Sequence, residues 1–432
     1  MRTSKYSSSS NGFSQRAQAV EPPPIAWLME QKLKYPALIS LAAGFTDPDT
    51  LPDKETMQIM HQMAKSKAVM RTTLQYGTGS GRKRLRELTG QRIAELDHTA
   101  SDKPAYNSER ILITHGSQQF LYLVTEALCD AGDMVMVEAP TYFVYLSILK
   151  YFGVRACSVP LKTDGIDLVA FEKKLEQLKQ SGDLWRLKII YLVTYHQNPT
   201  SQSMPLGKKQ ALMRLLARYE RDAGHPIYVL EDAAYRELGF AQEASAPSML
   251  SLPGALKRVI YSGTYSKPFA TGIRVGFGIS PAPLARALEH IKGNQDFGTA
   301  ELLQAILERA LESRLYAKHL KLIQARYAQK AGRMVDAMKK YFPSTVRWAA
   351  PQGGLYVWTK VPEPVDTGPR GELFETSLKQ QVLYVPGCYT YAPDVMGPER
   401  NTAMRLSFGN ASLHLIEEGI RRLGKSLSAT LG

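Results

Sequence analysis

The feature that most constrains this chain is a succession of short, uninterrupted apolar runs between residues 111 and 279, separated by segments with helical periodicity. The runs are "ILIT" (111–114), "MVMVE" (134–138), "LKIIYLVT" (187–194), "PIYVLED" (226–232), "RVIYSG" (258–263) and "VGFGI" (275–279). They do not alternate apolar with polar, so each reads as a strand covered on both faces, as in a mostly parallel sheet. Helices are predicted between them, over "SQQFLYLVTEALCDAG" (117–132) and "LGKKQALMRLLARYERDAG" (206–224), the second stopped by Gly224. Strands alternating with helices imply a three-layer α/β/α domain.

Further on, Tyr316, Leu320, Ile323, Tyr327, Met334, Met338 and Tyr341 recur at steps of three, four and seven, one apolar stripe on a long helix. The remainder, with "VRWAAPQGGLYVWTKV", "VLYVPG", "AMRLSF" and "LHLIEEGIRRLGKSL", reads as a small α+β domain. At 432 residues the chain exceeds one ordinary core. The expected division is a flexible tail (1–15), an N-terminal segment joining the small domain (16–60), a large domain (61–310), and a long helix with the C-terminal small domain (311–432).

Composition excludes several classes. With 44% hydrophobic and 22% charged residues the chain is not disordered, and no apolar run is long enough to span a bilayer. The net charge of +14 is scattered rather than clustered, so neither nucleic acid nor membrane is expected as a partner. Cys129, Cys157 and Cys388 lie far apart without a CxxC pattern, which argues against a zinc site or disulfide framework and for a cytoplasmic protein.

In an open parallel sheet, ligands bind at the carboxyl ends of strands, which selects the polar residues that follow them. Asp232 closes one strand, with Tyr235 three residues on; Asn198 closes another. "THGSQQ" (114–119) is a strand, a glycine turn and a helix start, which presents backbone N–H groups to an anion, with Ser117 at the cap. Arg274, beside Gly272, suits bidentate capture of a phosphate, and Thr264 and Ser266 are hydroxyls next to Lys267. A lysine held among such groups can form a Schiff base with an aldehyde. A phosphate cradle, an imine-forming lysine, an Asp for a protonated ring nitrogen and an aromatic for stacking are the parts of a pyridoxal phosphate site.

With these residues in place the chain resembles the fold-type I pyridoxal-phosphate-dependent aminotransferases of class I/II, and within them the kynurenine/2-aminoadipate aminotransferase and MocR-like group. The likeness runs from "FSQRAQAVEPPPIAWLMEQ", "ISLAAGFTDPDTLP" and "LQYGTGSGRKRLREL" through "ITHGSQQ", "VEAPTY", "HQNPT", "EDAAYREL" and "GTYSKPFATGIRVGFG" to "PQGGLYVW", "VLYVPG" and "MRLSFGN". It implies a mostly parallel seven-stranded sheet, pyridoxal 5′-phosphate as cofactor, amino acid and 2-oxo acid substrates, and a ping-pong transamination. By the same resemblance Lys267, Asp232 and Tyr235 are catalytic, Lys267 through its Schiff base. Ser117, Gln118, Thr264, Ser266 and Arg274 hold the phosphate, Asn198 and Tyr235 the ring oxygen, and Tyr142 the ring face. Tyr76 reaches the cofactor of a partner subunit, implying a homodimer with shared sites. Arg405 grips the substrate carboxylate, near the backbone of Gly44 and the side chain of Asn198.

Ser201 stands where the family usually has glycine, Ala234 where proline is common, and "GFTDP" replaces "GLP"; the last bears on substrate identity. Two rival readings share the fold: a carbon–sulfur lyase or decarboxylase on the same cofactor, and a MocR-type regulatory module. About 40 residues precede "LAAGF", too few for the regulator's winged helix. "GTGSGRK" (77–83) lacks the strand before it and the GK[ST] ending of a nucleotide loop, so it is read as a turn before a helix. His115 and His196 have no partner at ligand spacing and are read as structural or as neighbours standing behind the site residues; Cys388 is read as a small loop residue; no metal site is expected.

Overall fold

The computed structural model describes residues 12–19, 24–240 and 245–432. Residues 1–11, most of the expected tail, and 20–23, within the expected N-terminal segment, lie outside the described residues. The large sheet contains strands β1 (Ile111–Thr114), β2 (Met134–Ala139), β3 (Arg155–Lys162), β4 (Gly165–Ile166), β5 (Leu187–Val193), β6 (Tyr228–Asp232), β7 (Val259–Thr264) and β8 (Gly276–Ile279). Their spatial order is β1-β8-β7-β6-β5-β2-β3-β4. Neighbours from β7 through β3 pair in parallel, β8 is antiparallel to both its neighbours, and the two-residue β4 folds back on β3. The mostly parallel three-layer α/β fold expected from the sequence is therefore present, its seven long strands extended by a short eighth.

Burial explains why the runs are continuous. Every residue of β1, β7 and β8 is buried, because helices such as Gly116–Leu128 and Leu206–Ala223 cover the sheet. β3 escaped the sequence reading because it lies near the sheet edge. Its burial alternates with exposure, and Pro160 interrupts it. The helix Leu206–Ala223 stops at Gly224, which adopts φ 74° as the left-handed cap.

A second, antiparallel sheet contains β9 (Arg347–Trp348), β10 (Tyr356–Lys360), β11 (Val385–Pro386) and β12 (Ala403–Ser407), in the order β9-β10-β12-β11. The helix Leu315–Tyr341 buries Tyr316, Leu320, Ile323, Tyr327, Met334 and Met338 of the predicted stripe, with Tyr341 half-buried at its end. Near the N-terminus, Ile39–Ser40 pairs in parallel with Val382–Leu383, which carries residues 41–47 over the carboxyl ends of the large sheet's strands. No described helix is long and apolar enough to cross a membrane.

Candidate active site

A cavity of about 240 Å³ opens at those carboxyl ends. Tyr142 follows β2, Asn198 follows β5, Asp232 ends β6, Lys267 follows β7, and Ser117 and Gln118 begin the helix after β1. Each polar residue thus comes from a different strand, and the register holds them level: Asp232 lies opposite Val193 on one side and Ser262 on the other. Of the residues singled out in the sequence, Ser117, Gln118, Tyr142, Asn198, Asp232, Tyr235, Thr264, Ser266, Lys267 and Arg274 all line this cavity.

At one end sits an anion cradle. Ser117 is not the cap expected from the sequence: the helix Gly116–Leu128 starts one residue earlier, His115 holds the cap position, and no side chain caps the end, leaving its first N–H groups to face a ligand. Arg274 reaches across it, donating from Nη1 to Ser266 Oγ (3.4 Å) and from Nη2 to the His115 carbonyl (3.3 Å). Thr264 Oγ1 accepts from the Ser266 N–H at 3.1 Å, so the hydroxyls are already organised. Gly116 is required here: its φ is +71°, and a Cβ would stand 2.6 Å from Arg274 Nη2.

At the other end Asp232 is buried, and among the described residues no lysine or arginine is paired with it. Tyr191 donates to its Oδ2 (2.9 Å) and the Ala234 N–H to its Oδ1 (3.2 Å), yet burial still pushes its carboxyl up to about 6. A buried carboxylate lacking a cation is costly, and a cationic ring nitrogen entering from the cavity is the partner it lacks.

Between these ends Lys267 donates from Nζ to the Gly44 carbonyl (2.7 Å). Burial lowers its ammonium below the ordinary lysine value; the nearby Tyr356 works against this, while the charges of Arg405 and Arg274 add to it. Arg405 does not line the cavity itself but is fully buried beside it. Its Nη1 donates to Asn198 Oδ1 and its Nη2 to the Ala42 carbonyl, both at 2.8 Å, and its Nε has no partner among the described residues. Asn198 Nδ2 in turn donates to the Tyr235 hydroxyl at 3.4 Å.

One expected residue is not brought in. Tyr76 is 81% exposed, packed edge-on against the exposed Phe297 and absent from this chain's own cavity. His196 lies outside the cavity, its ring against Gly353, and burial holds it down at about 4, a neutral packing group. His115 borders the cradle from outside through its carbonyl. The sequence reading missed Tyr191, hidden in a continuous apolar strand, as well as Phe45, Thr271 and Tyr356. The hydroxyl of Tyr356 lies 3.0 Å from that of Tyr235.

An anion cradle, an uncompensated buried carboxylate and a lysine of lowered proton affinity between them fit pyridoxal phosphate, whose phosphate, ring nitrogen and aldehyde need those three partners. Residues 37–423 match the family Aminotransferase class I and II. The chain is 32% identical to the aromatic-amino-acid aminotransferase 1 of Thermococcus litoralis, covering 96% of this chain and 94% of that one. It is also 32% identical to the 2-aminoadipate transaminase of Thermus thermophilus, covering 92% and 91%. The crystal structure of Pyrococcus horikoshii kynurenine aminotransferase, in complex with PMP, superimposes with a TM-score of 0.87 at 29% identity, covering 98% of both chains. The chain belongs to the class I and II aminotransferases. It is a pyridoxal-phosphate-dependent transaminase, acting on amino acids and 2-oxo acids.

Proposed function

We propose that Lys267 is the residue that carries the cofactor and moves the proton, and that the physiological donor is an α-amino acid with an apolar or aromatic side chain. When bound, pyridoxal phosphate supplies the aldehyde that takes up the amine and a cationic ring that withdraws the electron pair left at Cα. With the cofactor bound, Lys267 Nζ would be the base that takes the proton from the substrate Cα and gives it back, a task suited to an amine whose proton affinity burial has lowered. Of the residues lining the cavity, Asp232 would keep the ring nitrogen protonated, Tyr235 and Asn198 would hold the ring oxygen, and Tyr142 would supply an aromatic surface for the ring. Ser117, Gln118, Thr264, Ser266 and Arg274 anchor the phosphate. Arg405 takes the substrate carboxylate beside Gly44 and Asn198, first of the amino acid and then of the 2-oxo acid.

The observation that carries this reading is the position of Lys267 between the cradle and Asp232, without a carboxylate partner among the described residues. The donor class rests on the lining: among the described residues its cations are Lys267 and Arg274, both assigned, while Phe45 offers an aromatic edge. A distal carboxylate such as that of 2-aminoadipate has no counter-charge there. Tyr76 beside Phe297, exposed and aromatic, supports a homodimer in which Tyr76 completes the partner's site. Three cysteines without a disulfide support a cytoplasmic setting. Lys267→Ala is expected to lose both turnover and the visible absorbance of the bound cofactor; retained turnover overturns the assignment. A donor panel with 2-oxoglutarate and pyruvate as acceptors tests the second half, with phenylalanine and leucine expected to exceed 2-aminoadipate in kcat/KM.

A further inference from the structure

Tyr356 has no task in the scheme above, yet it touches three parts of it. Its hydroxyl lies 3.0 Å from that of Tyr235, and its ring centre is 4.1 Å from the guanidinium carbon of Arg405. A Cβ on Gly44 would fall 2.5 Å from the same hydroxyl, so the segment whose Ala42 and Gly44 carbonyls hold Arg405 and Lys267 is seated directly on it. Tyr356 is buried at the start of β10, at the end of "PQGGLY".

The chain has built that position with care. Gly353 leaves room for the His196 ring, which a Cβ would meet at 2.3 Å, and Gly354 turns at φ +75°. Ser201 adopts φ 58°, a left-handed conformation that disfavours any side chain, where glycine would be relaxed. What serine adds is a tether: its Oγ donates to the Tyr356 carbonyl at 2.7 Å, tying the Asn198 loop to the strand that carries Tyr356.

Hydrogen-bond accounting gives the tether its purpose. The Tyr235 oxygen accepts from Asn198 Nδ2. Among the described residues the Tyr356 hydroxyl has Tyr235 as its hydrogen-bond partner and no other. If Tyr356 donates, both acceptor positions of Tyr235 are filled, and its own proton can point only into the cavity. Chains of hydroxyls polarise one another, so a Tyr235 fed in this way is a stronger donor.

We infer that Tyr356, held in place by Ser201, is a positioning residue that directs the Tyr235 proton onto the cofactor's ring oxygen and backs the carboxylate-binding face of Arg405. The inference rests on the roles proposed for Tyr235 and Arg405. It separates the two parts of one side chain: the hydroxyl acts on the cofactor, the ring on substrate.

The test uses holoenzyme variants and two readouts. One is the pH midpoint of the bound cofactor's visible absorbance. The other is the Kd of 3-phenylpropanoate, which has a carboxylate and an apolar tail but no amine. Weaker donation from Tyr235 leaves the proton at the Lys267 nitrogen to higher pH. Tyr356→Phe should therefore raise the midpoint by roughly 0.7 units, about fivefold in proton affinity, the scale of one net hydrogen bond. It should leave the 3-phenylpropanoate Kd unchanged. Tyr356→Leu, lacking the ring, should shift the midpoint similarly and also weaken 3-phenylpropanoate about five- to tenfold. Ser201→Gly should give a smaller midpoint shift of the same sign. An unmoved midpoint in Tyr356→Phe, with Tyr235→Phe moving it, overturns the inference alone. An unmoved midpoint in Tyr235→Phe as well overturns the role given to Tyr235, and the inference with it.

Discussion

The Nζ of Lys267 and the carbonyl oxygen of Gly44 stand 2.7 Å apart, so the reactive amine rests on the N-terminal segment rather than on an acid. Among the described residues no ion pair offsets its burial, and its proton affinity falls below the ordinary value of 10.5. A lysine so lowered destabilises the folded apoprotein at every pH below its folded value, and the cost vanishes above the unfolded one. The Lys267→Met apoprotein is expected to outlast the wild type in urea at pH 7, with the gap closing as pH approaches 10.5. Equilibrium unfolding at a series of pH values reads this directly.

Asp232 gives the complementary case with the opposite charge. Its carboxyl is raised to about 6 from 3.8 by burial, so the cost is full above pH 6 and gone below pH 4. Asp232→Asn apoprotein should exceed wild-type stability at pH 7 to 8 and match it near pH 4. The same variant should lose transamination by about 10²–10³-fold, because the ring nitrogen no longer has an anion to hold its proton. Gaining stability while losing activity is the signature of a group kept for its chemistry.

Much of this was legible in the sequence because each cavity residue follows an apolar run, and the ends of buried strands are where such a sheet binds ligands. That rule singled out Asp232, Asn198 and Lys267 as strand-end polar residues, but each alone reads equally as a cap, a turn or a surface lysine, and their roles came from the resemblance to the family. Tyr191 was not legible: inside "LKIIYLVT" a tyrosine reads as core, and only the neighbouring strand shows that its hydroxyl points at Asp232. Tyr356 was missed for a related reason, since its contacts with Arg405 and Tyr235 join positions far apart in the chain. The pairing of Ile39–Ser40 with Val382–Leu383 spans more than 340 positions through two-residue strands, too short to leave a pattern.

Gly116 tests the phosphate cradle without altering any charged group. Alanine there must adopt φ +71° and place its Cβ 2.6 Å from Arg274 Nη2, displacing the guanidinium. Gly116→Ala should raise the cofactor Kd about tenfold or more, through left-handed strain and a lost bidentate contact. At saturating cofactor kcat should remain near the wild-type value. Fluorescence titration of the apoenzyme, followed by kinetics at high cofactor concentration, separates the two.

Arg405 is fixed by Asn198, by the Ala42 carbonyl and by the Tyr356 ring, so in the role proposed for it the fork is held in place in advance of a carboxylate. Arg405→Lys keeps the charge but loses the planar pair of donors. It should raise KM for amino acid and for 2-oxo acid alike by about 30- to 150-fold, corresponding to ~2–3 kcal/mol of charged hydrogen bonding. Equal effects on both half-reactions are expected because both substrates present the same carboxylate. A loss confined to one half-reaction would place the carboxylate elsewhere.

Tyr76 tests the homodimer with shared sites proposed above. It is exposed beside Phe297 and does not line its own chain's cavity, so its side chain is free to complete a neighbour's. Tyr76→Ala and Lys267→Ala homodimers should each be impaired, the first in cofactor retention and the second in chemistry. Mixing and reassembling them makes hybrid dimers in which one site joins an intact Lys267 to the partner's intact Tyr76. With random pairing half of the dimers are hybrids and one of their two sites is whole, so about a quarter of all sites should recover wild-type behaviour. Were Tyr76 to serve its own chain's cofactor, each hybrid site would carry one lesion, and mixing would restore nothing. Activity of the reassembled mixture at limiting cofactor distinguishes the two arrangements.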